Sequence, residues 1–264
     1  MSPARRSRLL ALAVPAALLL AWEGAKALFA LPAYQLPHVH EVLAELVRPS
    51  GGGHPWIVEA ARNAAWTAAE ALAGFVLGGA LGLALALFLA RWPLLRRGLL
   101  PYVLLSQTVP ILAIAPMVVL WLGTTWVSKA VIAAYLTFFP VTMHVLRGFD
   151  TVDPDAVALM RAVAATPRQV FWKLRLPATL PYLFTALRLS ATASVVGAII
   201  GELPVGSRFG LGVVLINAAQ YYTFRPATLW AAILVSALLG LVFYQGVVVA
   251  ERWCLRGRPV AVPS

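Results

Sequence analysis

The chain has 264 residues, of which 61% are hydrophobic and 12% charged, and its mean hydropathy is +0.83. That balance excludes an ordinary soluble domain and gives length for several bilayer crossings of about 20 residues each. The net charge of +11 would suggest nucleic acid as the partner of a soluble protein, but in a membrane chain the basic residues first report orientation. A single cysteine, Cys254, rules out an internal disulfide framework and any multi-thiolate metal site.

Apolar stretches long enough to span fall near Leu9–Leu31, Ala64–Ala90, Leu99–Leu122, Trp126–Leu146, Leu180–Gly201 and Thr228–Ala250, so six membrane helices are expected in an all-α integral membrane fold. With both termini in the cytoplasm, the inner segments carry Arg5, Arg6, Arg8, Arg91, Arg96, Arg97, Arg147, Arg161, Arg168, Lys173, Arg175, Arg252, Arg256 and Arg258. The outer segments carry Arg48, Arg62, Lys129, Arg208 and Arg225. Fourteen bases against five set the orientation.

In the first span Glu23 and Lys26 are three residues apart on one helical face, placed to pair or to snorkel. The same region also fits a cleaved signal peptide: Arg5, Arg6 and Arg8 precede an apolar run to Trp22 and the small-residue pattern Ala25-Lys26-Ala27. Cleavage would leave five spans with the same orientation. The segment 32–60 then reads as external, with a short amphipathic helix and a Ser50-Gly51-Gly52-Gly53 turn. His38, His40 and His54 lie there at loose spacing without a supporting acidic cluster, which makes them loop histidines and not metal ligands.

Gly74, Gly78 and Gly82 recur every fourth residue in the second span and make a smooth face for close helix packing. Pro110, Pro116 and Pro140 fall inside the third and fourth spans, where a kink frees backbone carbonyls. Gln107 and Thr108 beside Pro110 suggest a polar stretch of a translocation path. Ser190, Thr192 and Ser194 in the fifth span fit either a path or helix–helix hydrogen bonds. Glu202, beside Gly201 and Pro204, reads either as a gate at the outer mouth or a contact for an external protein, or as a solvated helix-end carboxylate.

Between the fourth and fifth spans lies a basic, sharply punctuated insert. Asp153-Pro154-Asp155 supplies an N-cap, a proline at the first helical position and an acid in the first turn. Thr166-Pro167-Arg168-Gln169 repeats the signal as a capping box, so one helix is expected to stop near Ala165 and a second to begin at an angle to it. Leu176-Pro177 is expected to end the second helix before the fifth span. Ala158, Ala162 and Ala165 form a narrow ridge on the first of these helices, surrounded by bases. A helix-turn-helix DNA reader has a similar geometry, but both ends of this insert are tethered to the bilayer, which excludes that role.

Enzyme constellations are missing. None of Lys26, Lys129 and Lys173 is followed by Ser or Thr, so a P-loop cannot form, and neither His-Glu-x-x-His nor Gly-x-Ser-x-Gly occurs. No span carries the repeated polar ring of a selectivity filter.

The insert resembles the cytoplasmic loop of the permease subunits of bacterial ABC importers, in particular the nitrate/sulfonate/taurine-type branch. That loop carries Glu-Ala-Ala, then a glycine, then an aliphatic residue, a spacer and Leu-Pro. Here Leu174 and Leu176-Pro177 place the glycine position at Ala164 and the triad at Ala158-Leu159-Met160; the spacing is kept while the acid and the glycine are lost. "LPHVHEVL" at 36–43, "QTVPILAIAPMVVLWLG" at 107–123, "FFPVTMHVLRGFDTVDP" at 138–154 and "GELPVGSRFGLGVVL" at 201–215 are similar to further family segments in the same order.

The resemblance implies a type I importer permease fold as one transmembrane domain over 1–264, with a coupling loop at about 148–179. It implies a multi-pass protein of the bacterial inner membrane that forms the translocation path. The expected partners are a second permease subunit, most simply a homodimer, two cytoplasmic ATPase subunits and an external solute-binding protein. ATP and Mg would be held by the ATPase and no cofactor by this chain. Coupling would fall to Ala158, Leu159, Met160, Arg161, Ala162, Ala164, Ala165, Thr166, Pro167, Leu174, Leu176 and Pro177, and the path to Gln107, Thr108, Pro110, Ser190, Ser194 and Glu202. The alternative is a channel of another family or a membrane-embedded scaffold.

Overall fold

The computed structural model describes residues 3–204 and 206–255; Val205, Arg256 and Arg258 lie outside the described residues. All regular structure among them is helical. Among the described residues four helices are long and apolar enough to cross a membrane: α3 (Trp56–Arg91), α6 (Trp126–Asp150), the continuous rod Pro167–Glu202 and α11 (Pro226–Cys254). Taken together, α4 (Pro93–Ser106) and α5 (Ile111–Leu122) are also long and apolar enough for a crossing, but they are bent 93° to one another, the geometry of a broken span or a re-entrant loop. The first expected span falls on α1 (Pro3–Leu28), a 26-residue helix. Between them run α2 (Val39–Val47), α7 (Pro154–Ala162), and α10 (Leu211–Gln220), an apolar helix of 10 residues too short to span. The Pro167–Glu202 rod consists of α8 (Pro167–Val170), a π-helical turn over Phe171–Arg175, and α9 (Leu176–Glu202).

The apolar stretch expected to form the third span is therefore two helices, and not one helix kinked at an internal Pro110. Pro110 is the N-cap of α5, with φ −60° and ψ 123°, and Gln107 is the C-cap of α4. A proline forces the residue before it out of the α region, and an apolar window alone does not reveal that the helix stops there. Pro116 and Pro140 do lie within helices, as expected.

The core is a helix sandwich centred on α6. More than half of its best apolar stretch, 56%, is buried within the chain, against 28% for α3 and 17% for α11. On one side the glycine row of α3 meets α6 backbone. A Cβ on Gly78 would come within 2.7 Å of Thr137 Cβ and 2.9 Å of Ala134 Cα, and one on Gly74 within 2.6 Å of the Ala130 carbonyl. On the other side α9 does the same: a Cβ on Gly197 would lie 2.7 Å from Ala133 Cα, and one on Gly201 3.0 Å from Lys129 Cα. Hydrogen bonds staple both faces, from Thr142 Oγ1 to the Gly82 carbonyl at 3.1 Å and from Ser190 Oγ to the Thr137 carbonyl at 3.3 Å.

At the start of the chain Glu23 and Lys26 do not pair with each other. Glu23 accepts from the Val39 amide at 2.7 Å and faces His38 Nδ1 at 2.7 Å, while the Lys26 ammonium donates to the Leu31 and Leu36 carbonyls at 3.3 and 2.5 Å. Both side chains thus anchor the segment after α1 to α2, because loop carbonyls and amides that lack helical partners attract charged groups more strongly than an exposed i,i+3 pair does.

The close approach predicts an asymmetry. Gly78→Leu should lower the yield of folded complex in detergent sharply, since overpacking against backbone costs about 1–3 kcal/mol or more. Leu77→Ala, at a position 45% exposed, should change it by no more than about 0.5 kcal/mol. Equal yields would contradict the packing.

Candidate functional site

The insert is built from local capping chemistry. Asp153 accepts the Asp155 amide at 2.9 Å through its carboxylate and Pro154 opens α7, as the sequence suggests. At the other end the Ala165 amide reaches back to the Met160 carbonyl at 3.0 Å and the Ala164 amide to Arg161 at 2.9 Å. These two bonds are a Schellman closure, which requires a left-handed residue at its turn. That residue is Ala164, at φ 59°. The glycine position of the resembled motif is thus the one place in the insert where a Cβ is strained.

Thr166 then forms a reciprocal capping box with Gln169: the Gln169 amide donates to Thr166 Oγ1 at 3.3 Å and the Thr166 amide to Gln169 Oε1 at 2.8 Å. The helix that starts there does not end at Leu176-Pro177, contrary to the sequence-based expectation. It widens into the π turn, in which the Leu176 amide reaches the Phe171 carbonyl, and runs on as α9. Pro177 has no N–H and its ring would crowd the carbonyl four residues back, so a turn of wider pitch accommodates it without a break. Leu174, Leu176 and Pro177 are half-buried along this rod, not in a loop.

Around α7 the residues divide between two faces. Half-buried Val157 and Ala165 and exposed Arg161 line one cavity, while Ala158, Leu159, Ala162 and Val163 lie outside it and are exposed, Leu159 at 68% and Val163 at 69%. Ala165 therefore leaves the expected alanine ridge, because α7 stops at Ala162 and the left-handed turn redirects the chain. No residue of α7 is buried. The base of the insert is firmly held. Gly148 at the end of α6 packs on Thr179 and Tyr182 of α9, Phe149 stacks on Phe171, and Arg96 makes a bidentate pair with Asp150 at 2.7 and 2.6 Å.

At the opposite end of the spans Glu202 is neither solvated nor at an open mouth. It is 1% exposed, and its carboxylate accepts the Gly212 amide at 2.6 Å and approaches Thr67 Oγ1 at 2.7 Å. Leu211 donates its amide to Thr67 Oγ1 at 2.8 Å and Gly210 its amide to Asn63 Oδ1 at 2.8 Å. Three consecutive amides at the start of α10 are thus capped by side chains of α3 and α9, the favourable placement for a carboxylate at a helix N-terminus. Gly210, at φ 117°, leaves the space that the Glu202 carboxyl fills. Asn63 and Thr67 escaped the sequence reading, although their spacing continues the face of Gly74 and Gly78.

Of the remaining path candidates, Ser190 and Ser194 are fully buried and bond to the Thr137 and Ala191 carbonyls. Helix–helix and intrahelical hydrogen bonding accounts for both, and neither faces an open path within this chain. Gln107 and Thr108 are exposed at the break before Pro110, with Thr108 Oγ1 donating to the Leu105 carbonyl at 2.8 Å. The three break residues cluster there; Ser190, Ser194 and Glu202 do not join them.

Together these features define a class: a multi-helix membrane subunit with a firmly based, outward-facing helical insert between two central spans. Residues 78–254 match the family of the binding-protein-dependent transport system inner membrane component, and the chain belongs to that family. It is a permease of the nitrate/sulfonate/taurine type with the type I importer permease fold. It is similar to the formylaminopyrimidine transport permease protein of Halalkalibacterium halodurans, 33% identical over 66% of this chain and 68% of that one. It is also similar to the riboflavin transport system permease protein of Chloroflexus aurantiacus, 29% identical over 90% and 86%, and to the taurine transport system permease protein of Escherichia coli, 29% identical over 70% and 63%. Membership makes it a multi-pass inner-membrane component of a transport system.

The left-handed turn predicts a direction for two substitutions. Ala164→Gly should raise the thermal midpoint of the purified protein by relieving about 1 kcal/mol of strain, whereas Ala164→Val should lower it. Scanning fluorimetry would show this, and the reverse order would contradict the Schellman closure.

Proposed function

We propose that the chain is the membrane-spanning subunit of an ATP-driven importer for a small organic or oxyanionic solute. It spans six times with both termini in the cytoplasm, α1 making the first crossing and the basic insert facing inward. It works as a homodimer with two ATPase subunits and an external solute-binding protein. ATP and Mg act in the ATPase; this chain supplies the path and the coupling contact, and no catalysis. The fourteen-to-five distribution of bases supports the orientation.

The observation that carries the coupling role is the outward face of α7: small Ala158 and Ala162 flanked by exposed Leu159 and Val163, on a helix with no buried residue of its own. Such a narrow apolar ridge on a rigid base fits a partner groove. Its base is continuous with α9 and pinned to α6, so displacement of the ridge moves the central sandwich as a unit. Met160, Arg161, Thr166 and Pro167 hold the corner that orients it. The names of the relatives, whose solutes include formylaminopyrimidine, riboflavin and taurine, support a small organic solute. In such systems the selection of solute rests largely with the external binding protein.

Ala162→Arg tests the contact. A charged side chain on a ridge seated in a groove brings a clash and an unpaired charge, together worth about 3–5 kcal/mol. The variant should insert in the membrane normally yet lose co-purification with the ATPase or lose uptake in vesicles. A variant that inserts, binds the ATPase and transports like the parent would remove α7 from the coupling role.

A further inference from the structure

Where the insert folds back against the end of α3, four arginines line one cavity of about 880 Å³: Arg91, Arg161 and Arg168, which are exposed, and the half-buried Arg175. No acidic residue lines it. Of the acids that flank the insert, Asp150 is committed to Arg96 and Asp153 to the α7 cap, and Asp155 is exposed on the first turn of α7 outside the lining. Among the described residues none of the four arginines forms an ion pair, and Arg175 Nε is buried without a hydrogen-bond partner. Four like charges around one cavity repel one another, and a planar guanidinium with free N–H groups is the side chain best suited to a phosphate oxygen.

The other half of the lining is apolar. Leu87 and Ala90 come from the membrane-spanning part of α3, and Val170 and Phe171 from the start of the rod. Beside them Phe88 and Trp92 pair at 4.5 Å, both partly exposed, and Arg91 lies 6.0 Å from the Trp92 ring. Exposed aromatic rings at the end of an apolar span mark the headgroup level of a bilayer. A cavity at that depth, apolar toward the span and basic toward the insert, matches a phospholipid in both chemistry and position.

We infer that this cavity binds the phosphate group of an anionic phospholipid, which holds the insert against the end of α3. The alternative macromolecule is an acidic face of the ATPase. The geometry favours the lipid because the cavity adjoins the apolar end of α3 with Leu87 and Ala90 in its lining, whereas the apolar Leu159 and Val163 lie on α7 outside it. The inference does not depend on the transported solute or on the ATPase contact.

The test uses the purified full-length protein, with any subunits that accompany it, in nanodiscs of phosphatidylcholine alone or mixed with phosphatidylglycerol. Inorganic phosphate is added separately to the first set. Retained lipid is read by native mass spectrometry and thermal midpoint by fluorimetry, for the parent and for Arg91→Gln/Arg168→Gln/Arg175→Gln. Selective retention of phosphatidylglycerol with a raised midpoint, about a hundredfold weaker in the triple variant, is expected. If inorganic phosphate alone raises the midpoint of the parent and phosphatidylglycerol adds nothing, the site recognises phosphate from a soluble source and not from lipid. Should the triple variant fail to fold, the parent still decides: no discrimination between the two lipids and no response to phosphate would overturn the site. Loss of the ATPase from the variant with lipid retention unchanged would also overturn it, in favour of a protein contact.

Discussion

The arrangement depends on α6 being clamped between two helices at backbone distance. Inside a bilayer the lipid tails are as apolar as the side chains, so helices gain little by hiding leucine and must gain by close contact and hydrogen bonds. Gly74, Gly78 and Gly82 on one side and Gly197 and Gly201 on the other remove the Cβ atoms that would keep the backbones apart. Thr142 and Ser190 then bond across the two seams. Everything with a functional reading is attached to this sandwich: the insert leaves from the end of α6 and returns along the rod that becomes α9.

That attachment explains why the insert can be exposed and still be well defined. An apolar helix with no buried residue has little tertiary packing to stabilise it. Here each of its ends is closed by side-chain or backbone caps, and the chain on both sides is locked by Gly148 on Thr179, by Phe149 on Phe171 and by the Arg96–Asp150 pair. The far end of the sandwich is treated in the same way. Glu202, Thr67 and Asn63 bind the amides that open α10, and the Glu202 carboxylate, at 1% exposure, is matched by two donors, the Gly212 amide and the Thr67 hydroxyl. A rod held at both ends transmits displacement along its length with little loss, which is what a coupling element needs.

The parts of this that sequence made legible are those governed by neighbours in the chain. Asp153-Pro154 and Thr166 with Gln169 announce helix starts because the cap and its amide lie within three residues of each other. The glycine row was visible as a period, and the periodicity of α7 put Ala158 and Ala162 on one side. What could not be read depends on distant or competing terms. Glu202 finds Thr67 at a separation of 135 residues, so its burial was invisible to local reasoning. Leu176-Pro177 looked like a stop because proline usually ends a helix, and the π turn that accommodates it carries no compositional mark. Pro110 gave the opposite error: an unbroken apolar run concealed a 93° break. Ala164 looked like a lost glycine, whereas its backbone keeps the glycine conformation.

The proposed function requires that this chain move solute only when a separate ATPase drives it through the insert. The direct measurement is flux in proteoliposomes, made with the chain alone and with its ATPase and binding protein added, with and without ATP inside. Neither hydrolysis nor flux is expected from the chain alone, and uptake only when all components and ATP are present. Flux through the chain alone, down a gradient and indifferent to ATP, would contradict the proposed function and would mark the protein as a channel.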